Sequence, residues 1–137
     1  MILVDTNVWS ELTRAEPEPG VRNWEKVNSD ELWLATVVIG ELLSGAHLLP
    51  EGRRKQNFLD GYSTLIDLHE DRIVSFDLES ARHYGPVLAF LENDGRNPTT
   101  ADAQLAAIAL SRGMALATRN TKDFVGLGVK LINPWEA

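Results

Sequence analysis

At 137 residues with 44% hydrophobic side chains, the chain has the material for one core and little room for two, so residues 1–137 are expected to form a single domain. An excess of 20 acids over 13 bases gives a formal charge of -7, which argues against tight binding to polyanions through bulk charge. The absence of cysteine excludes disulfides, thiolate zinc sites, thiol nucleophiles and iron–sulfur clusters, and it suits a reducing, cytoplasmic location.

Residues 1–4, Met-Ile-Leu-Val, form an apolar run that lacks a basic flank and stops at Asp5, so they read as a buried strand rather than a signal or transit peptide. Residues 8–13 and 21–27 have helical character, and Pro17 and Pro19 punctuate the loop between them. Residues 32–35 read as a second strand. Residues 37–49 follow Thr36, a helix-capping residue type, and are apolar on nearly every side apart from Glu41 and His47, which predicts a buried helix. That stretch falls short of the ~20 residues needed to cross a bilayer, and no membrane association is expected. Residues 56–68 carry Phe58, Leu59, Tyr62, Leu65 and Ile66 at helical spacing. A third strand is predicted at 73–76, then a helix over 78–91 that Pro86 should kink. Thr100 opens and Gly113 closes a helix over 101–112, and strands at 115–118 and 129–132 complete the chain. Strands alternating with helices predict an α/β domain around a mainly parallel sheet of about five strands, with ligands bound beyond the carboxyl ends of the strands.

The acids near those ends carry the chemistry. Asp5 follows the first strand directly, where it reads either as a site carboxylate or, with Thr6 and Asn7, as the cap of the next helix. Helical projection puts Glu41 beside Val37, Val38, Ser44, Gly45 and Leu48, and Asp102 beside Leu105, Ala106 and Ala109, so both are expected to face inward. An unpaired buried charge is costly, so Glu41 calls for a cation, a proton, donors or an arginine partner. The helix dipole offers Asp102 only ~0.3–1 kcal/mol. Asp123 lies in Thr118-Arg-Asn-Thr-Lys-Asp-Phe124, at the same sheet edge, where it is either a ligand or a turn cap. Acids from distant segments repel one another, and a hard divalent cation is what makes their convergence favourable. Oxygen donors without cysteine or a paired histidine motif favour Mg²⁺ or Mn²⁺, while His47, His69 and His83 are too scattered to ligate together. Hydrolysis of a phosphodiester by metal-activated water is the chemistry that suits such a set.

Four segments carry a resemblance: Met1-Ile-Leu-Val-Asp-Thr-Asn-Val8, Val38-Ile-Gly-Glu-Leu-Leu-Ser-Gly45, Thr100-Ala-Asp-Ala-Gln-Leu-Ala-Ala107 and Ala117-Thr-Arg-Asn-Thr-Lys-Asp-Phe124. Together with the terminal Ile132-Asn-Pro-Trp135 they resemble, in order and over essentially the whole chain, the PIN-domain ribonucleases, in particular the VapC/FitB-like toxins of toxin–antitoxin pairs. The resemblance implies a three-layer α/β/α fold and a Mg²⁺- or Mn²⁺-dependent endoribonuclease with Asp5, Glu41 and Asp102 as metal ligands. It also implies a homodimer and a small VapB-like antitoxin that occludes the site. The family's fourth acid falls either where this chain has Asn120 or where it has Asp123. Asp123 is expected to complete the site, with Thr6, Thr118 and Asn120 supporting the ligands. Arg14, Arg119 and Lys122, and more weakly the run Arg53-Arg54-Lys55, are candidate RNA contacts. Two alternatives stand beside this. One is a phosphoacceptor receiver domain using Asp77 with Lys130. The other is a catalytically idle PIN-like module that only binds a partner.

Overall fold

In the computed structural model, which describes residues 1–137, the five apolar runs become one parallel sheet. Its strands are β1 (Ile2–Val4), β2 (Leu32–Ala35), β3 (Ile73–Val74), β4 (Ala115–Ala117) and β5 (Leu131–Ile132), in the order β3-β2-β1-β4-β5. In register, Ile2 stands opposite Leu32 on one side and Ala115 on the other. Leu3, Val4, Leu34, Leu116 and Ala117 are wholly buried, as expected of parallel strands covered on both faces.

The covering layers are six helices: α1 (Thr6–Leu12), α2 (Pro19–Asn28), α3 (Thr36–His47), α4 (Arg53–Leu68), α5 (Leu78–Asn93) and α6 (Thr100–Arg112). The first two crossovers step outward from β1 through β2 to β3, and the third returns across β1 to β4. Right-handed crossovers therefore put α1 to α4 on one face and α5 and α6 on the other, giving the α/β/α sandwich. The packing agrees, since α1 meets α2 and α3, α3 meets α4, and α5 lies along α6. The change of winding direction falls between β1 and β4, so the crevice at their carboxyl ends is the topological switch point. Asp5 and Thr118 are the first residues beyond those two ends.

Local differences from the sequence expectations have physical causes. The helix over 37–49 was expected to be buried all round, but only Val38, Leu42 and Ala46 of α3 are buried, and Gly40, Glu41, Ser44, Gly45 and Leu48 are exposed. Small residues on that face had made it read as apolar when it faces a groove. Thr36 is already helical, with Ala35 in the cap position, and α6 is capped by Thr99, whose hydroxyl accepts the Asp102 amide at 3.1 Å. Pro86 lies within an unbroken α5; both it and Arg82, whose carbonyl loses its usual donor, are exposed, so the missing bond falls on the solvent side of the helix. Strand β3 ends at Val74 because Asp77 turns the chain into α5, accepting the Ser80 amide and hydroxyl at 2.9 Å each. No helix is long and apolar enough to cross a membrane.

Candidate active site

Asp5 caps α1 and also places a second carboxylate oxygen at the switch point. Its extended backbone ends β1, and its Oδ1 accepts the Thr6 amide at 2.7 Å, capping α1. Its Oδ2 accepts the Thr118 hydroxyl at 2.8 Å across the switch point. The residue is only 6% exposed, and burial pushes its carboxyl up to about 6. The bonds from Thr118 and Thr6 oppose that rise, while the charges of Asp102 and Glu41 add to it.

Those charges are the other predicted acids. Glu41 sits on the exposed side of α3, so the inward orientation expected from its helical neighbours does not hold. Glu41 lines a solvent groove with Gly45, Leu49 and Arg54, and its carboxylate accepts the Thr6 hydroxyl at 2.6 Å. Asp102, in the first turn of α6, is half-buried rather than fully inward. Burial raises its carboxyl above the usual range against the Thr99 hydroxyl bond, and the charges of Asp123 and Glu41 raise it further. Asp123 ends the 3₁₀ turn Thr121–Asp123 after β4, half-buried, close enough for its charge to be felt at Asp102. The four acids thus occupy one electrostatic neighbourhood. None of them takes part in any of the molecule's ion pairs.

The supporting residues divide. Thr6 bridges Asp5 and Glu41, and Thr118 ties Asp5 to the β4 loop, as their position suggested. Asn120 is exposed and meets the site through its backbone amide, which donates to the Thr118 hydroxyl at 3.1 Å; its side chain touches none of the acids. Asn7, read from sequence only as part of a cap, ties the site together. Its amide nitrogen lies 3.4 Å from Asp5 Oδ2 and 3.3 Å from Thr118 Oγ1, and its oxygen accepts the Arg119 amide. The only sequence signal was an amide two residues beyond the strand-end acid.

The candidate phosphate contacts lie at different distances from this centre. Arg119 stacks on Trp135, 4.8 Å from its ring centre, and shares a recess with Asn7, Ser10 and Arg14. Arg14 is bonded bidentately to Glu11 at 2.9 and 3.1 Å. Arg54 of the basic run lines the same groove as Thr6 and Glu41. The Lys122 side chain is exposed and has no bonded partner.

The donor set fits a hard divalent cation, with four carboxylates, no soft ligand, and two acids whose ionised forms are disfavoured by burial and mutual repulsion. No three acidic or imidazole side chains stand close enough to ligate one ion together. A Mg²⁺ ion, which keeps several waters and takes one or two carboxylates directly, would not need three of them within reach at once.

The receiver alternative fails on geometry. Asp77 is occupied as the cap of α5, with Arg112 3.8 Å away, and Lys130 lies in a recess with Met1 and Gly113 at the amino ends of the strands, the opposite pole from the acids.

A strand-end aspartate at the switch point of a five-stranded parallel sheet, within reach of the charges of acids on α3 and α6, defines an α/β/α class with an acidic crevice. The PIN domain family matches residues 2–128, and the chain belongs to that family. Within it, the chain is 40% identical to the plasmid stability protein StbB of Pseudomonas syringae pv. tomato, with all of both chains covered. It is 37% identical to the VapC ribonuclease Y4jK of Sinorhizobium fredii, covering 99% of each. Its fold superposes on the solved structure of FitAcB from Neisseria gonorrhoeae with a TM-score of 0.87 at 32% identity, covering 100% of both chains.

Proposed function

We propose that this chain is a Mg²⁺- or Mn²⁺-dependent endoribonuclease, the toxin of a VapBC-type toxin–antitoxin pair acting in the cytoplasm. The observation that carries the reading is Asp5, a carboxylate buried at the switch point, pushed up to about 6, and facing the charges of Asp102 and Glu41 with no basic side chain to neutralise them. Membership of the PIN family and 37% identity to a VapC ribonuclease support it.

Asp5, Glu41 and Asp102 would hold the cation, one or two of them directly and the remainder through its waters, with Asp123 adding its charge to the pocket. When bound, a divalent cation there lowers the pKa of a coordinated water and stabilises the leaving oxygen of a phosphodiester. The chain's own residues set the geometry. Thr118 and Asn7 hold the Asp5 carboxylate in one orientation, and Thr6 holds Glu41 toward it. Arg119, kept at the rim by Trp135, is placed to meet an RNA phosphate, with Arg14 and Lys122 further out. No side-chain nucleophile is required. A cognate VapB-like antitoxin covering the acids, and a homodimer, complete the proposal.

The test is incubation of purified protein with total cellular RNA, with Mg²⁺ or with chelator, beside an Asp5→Asn variant. Cleavage that requires Mg²⁺ and disappears in the variant is expected. Cleavage that persists in chelator or in the variant removes the metal site from the reaction, and no cleavage by the wild type under any condition favours the idle binding module.

A further inference from the structure

The geometry points to Arg96 as a positioning residue that holds Asp123 in the acidic pocket. Arg96 lies in the loop joining α5 to α6, the segment that leads into Asp102. Its guanidinium reaches across to the loop after β4 and donates through Nη1 to the Lys122 carbonyl at 3.2 Å and through Nη2 to the Val125 carbonyl at 2.7 Å. The two bonds bracket Asp123, one residue before it and two after. They are the only side-chain hydrogen bonds to the backbone of residues 121–128.

The guanidinium is itself fixed. Nε lies 2.9 Å from Asp94 Oδ2 as an ion pair, out of line for a hydrogen bond and with its N–H otherwise unpartnered, the guanidinium carbon lies 5.6 Å from the Phe90 ring centre, and the side chain is only 22% exposed. The loop is shaped to reach it. Gly126 adopts φ +92°, and a Cβ there would stand 2.9 Å from Phe90 Cζ, so only glycine lets the loop close on the same ring that carries Arg96. A planar fork is suited to holding two carbonyls at once in a way that an ammonium is not.

The function of this clip follows from the charges. Asp123 is repelled by Asp102, and its own segment is a single 3₁₀ turn held by the Asp123 and Phe124 amides. Phe124 anchors the turn in the core, and Leu127 packs against that core further on, but no other side chain hydrogen-bonds to the backbone between them. Without Arg96 the repulsion is relieved by the loop moving outward, and Asp123 is lost from the pocket. Arg96 touches neither substrate nor cation; it acts through Asp123.

The inference rests on the cation-site reading above, and the experiment separates the two. Mn²⁺ affinity is measured by electron paramagnetic resonance for wild type, Arg96→Gln, Asp123→Asn, the double variant and Asp5→Asn, with thermal unfolding of each metal-free protein. Arg96→Gln is expected to weaken Mn²⁺ about tenfold, as loss of an outer partner of a ligand does. The same change in the Asp123→Asn background is expected to cost nothing further. Arg96→Lys, which keeps the charge, is expected to recover part of the loss, and it replaces Arg96→Gln in both backgrounds should the latter not fold. An equal loss in both backgrounds, or no loss in the single variant, overturns the role. Undiminished Mn²⁺ binding by Asp5→Asn overturns the cation site itself, and the Arg96 role with it.

Discussion

The sharpest consequence of the site is that its central acid destabilises the protein that carries it. Asp5 is pushed from an ordinary carboxylate value of 3.8 to about 6, first by burial. At 1.36 kcal/mol per unit, ionising it in the folded chain costs about 3 kcal/mol relative to the unfolded chain. Asparagine approximates the protonated acid in shape. It keeps an oxygen for the Thr6 amide but turns an amide nitrogen toward the Thr118 hydroxyl or the Asn7 amide, a mismatch worth about 1 kcal/mol. Metal-free Asp5→Asn is therefore expected to be more stable than wild type by about 2 kcal/mol at pH 7.5, while losing activity. Between about pH 4 and 6 the folded state binds the extra proton, so the sign runs one way: wild-type stability falls as pH rises through that window, and the gap to the variant opens over the same range. Asp102, also raised, adds a fall in the same direction to both proteins. Urea unfolding followed by tryptophan fluorescence in chelator, at steps from pH 5 to 7.5, measures this. A variant no more stable than wild type at pH 7.5, or a gap that does not change with pH, would refute the argument that Asp5 is held ionised against burial.

Thr6→Val removes the 2.6 Å bond to Glu41 and is expected to lower RNA cleavage about tenfold while shifting the urea midpoint little, because the bond lies at the solvent edge. Arg119→Ala is expected to weaken RNA binding across sequences and to make the dependence of log affinity on log salt shallower by about 1, as measured by filter binding. An unchanged salt slope would remove Arg119 from the phosphate path. Asp77→Ala removes the cap of α5 and is expected to cost about 1 kcal/mol of stability with cleavage intact. Acetyl phosphate is expected to leave the intact mass of the wild type unchanged.

The sheet was legible because parallel strands buried on both faces write themselves as short apolar runs, and all five runs became strands within two residues at each end. Asp5 was legible for a related reason, since a carboxylate straight after such a run has nowhere to lie but the strand end. Glu41 shows where a helical wheel fails. Ser44 and Gly45 count as near-apolar neighbours by size, yet both are exposed and Gly45 lines an open groove beside the carboxylate rather than a core. Asn7 and Arg96 were illegible because their roles depend on partners more than 25 residues away, Thr118 in one case and the carbonyls of Lys122 and Val125 in the other. No periodicity within a helix or strand reports contacts of that range.

The formal charge of -7 argues against a nucleic-acid partner held by bulk charge, and the ion-pair pattern shows where that acidity sits. The four acids of the pocket account for more than half of that excess, and the arginines around them are engaged elsewhere: Arg14 with Glu11, Arg54 over the Phe58 ring, Arg119 over Trp135, and Arg96 with two carbonyls and Asp94. A protein under selection for stability alone would turn one of these onto Asp5 or Asp102, since an opposite charge within ~4–6 Å lowers a carboxylate's pKa by 1–3 units. Leaving the pocket unneutralised keeps it available to a cation from outside. Under the proposed function the acidity of the chain and the basicity of its rim would serve different ligands, phosphates at the rim and, in the pocket, a divalent ion or the basic group of an inhibiting partner.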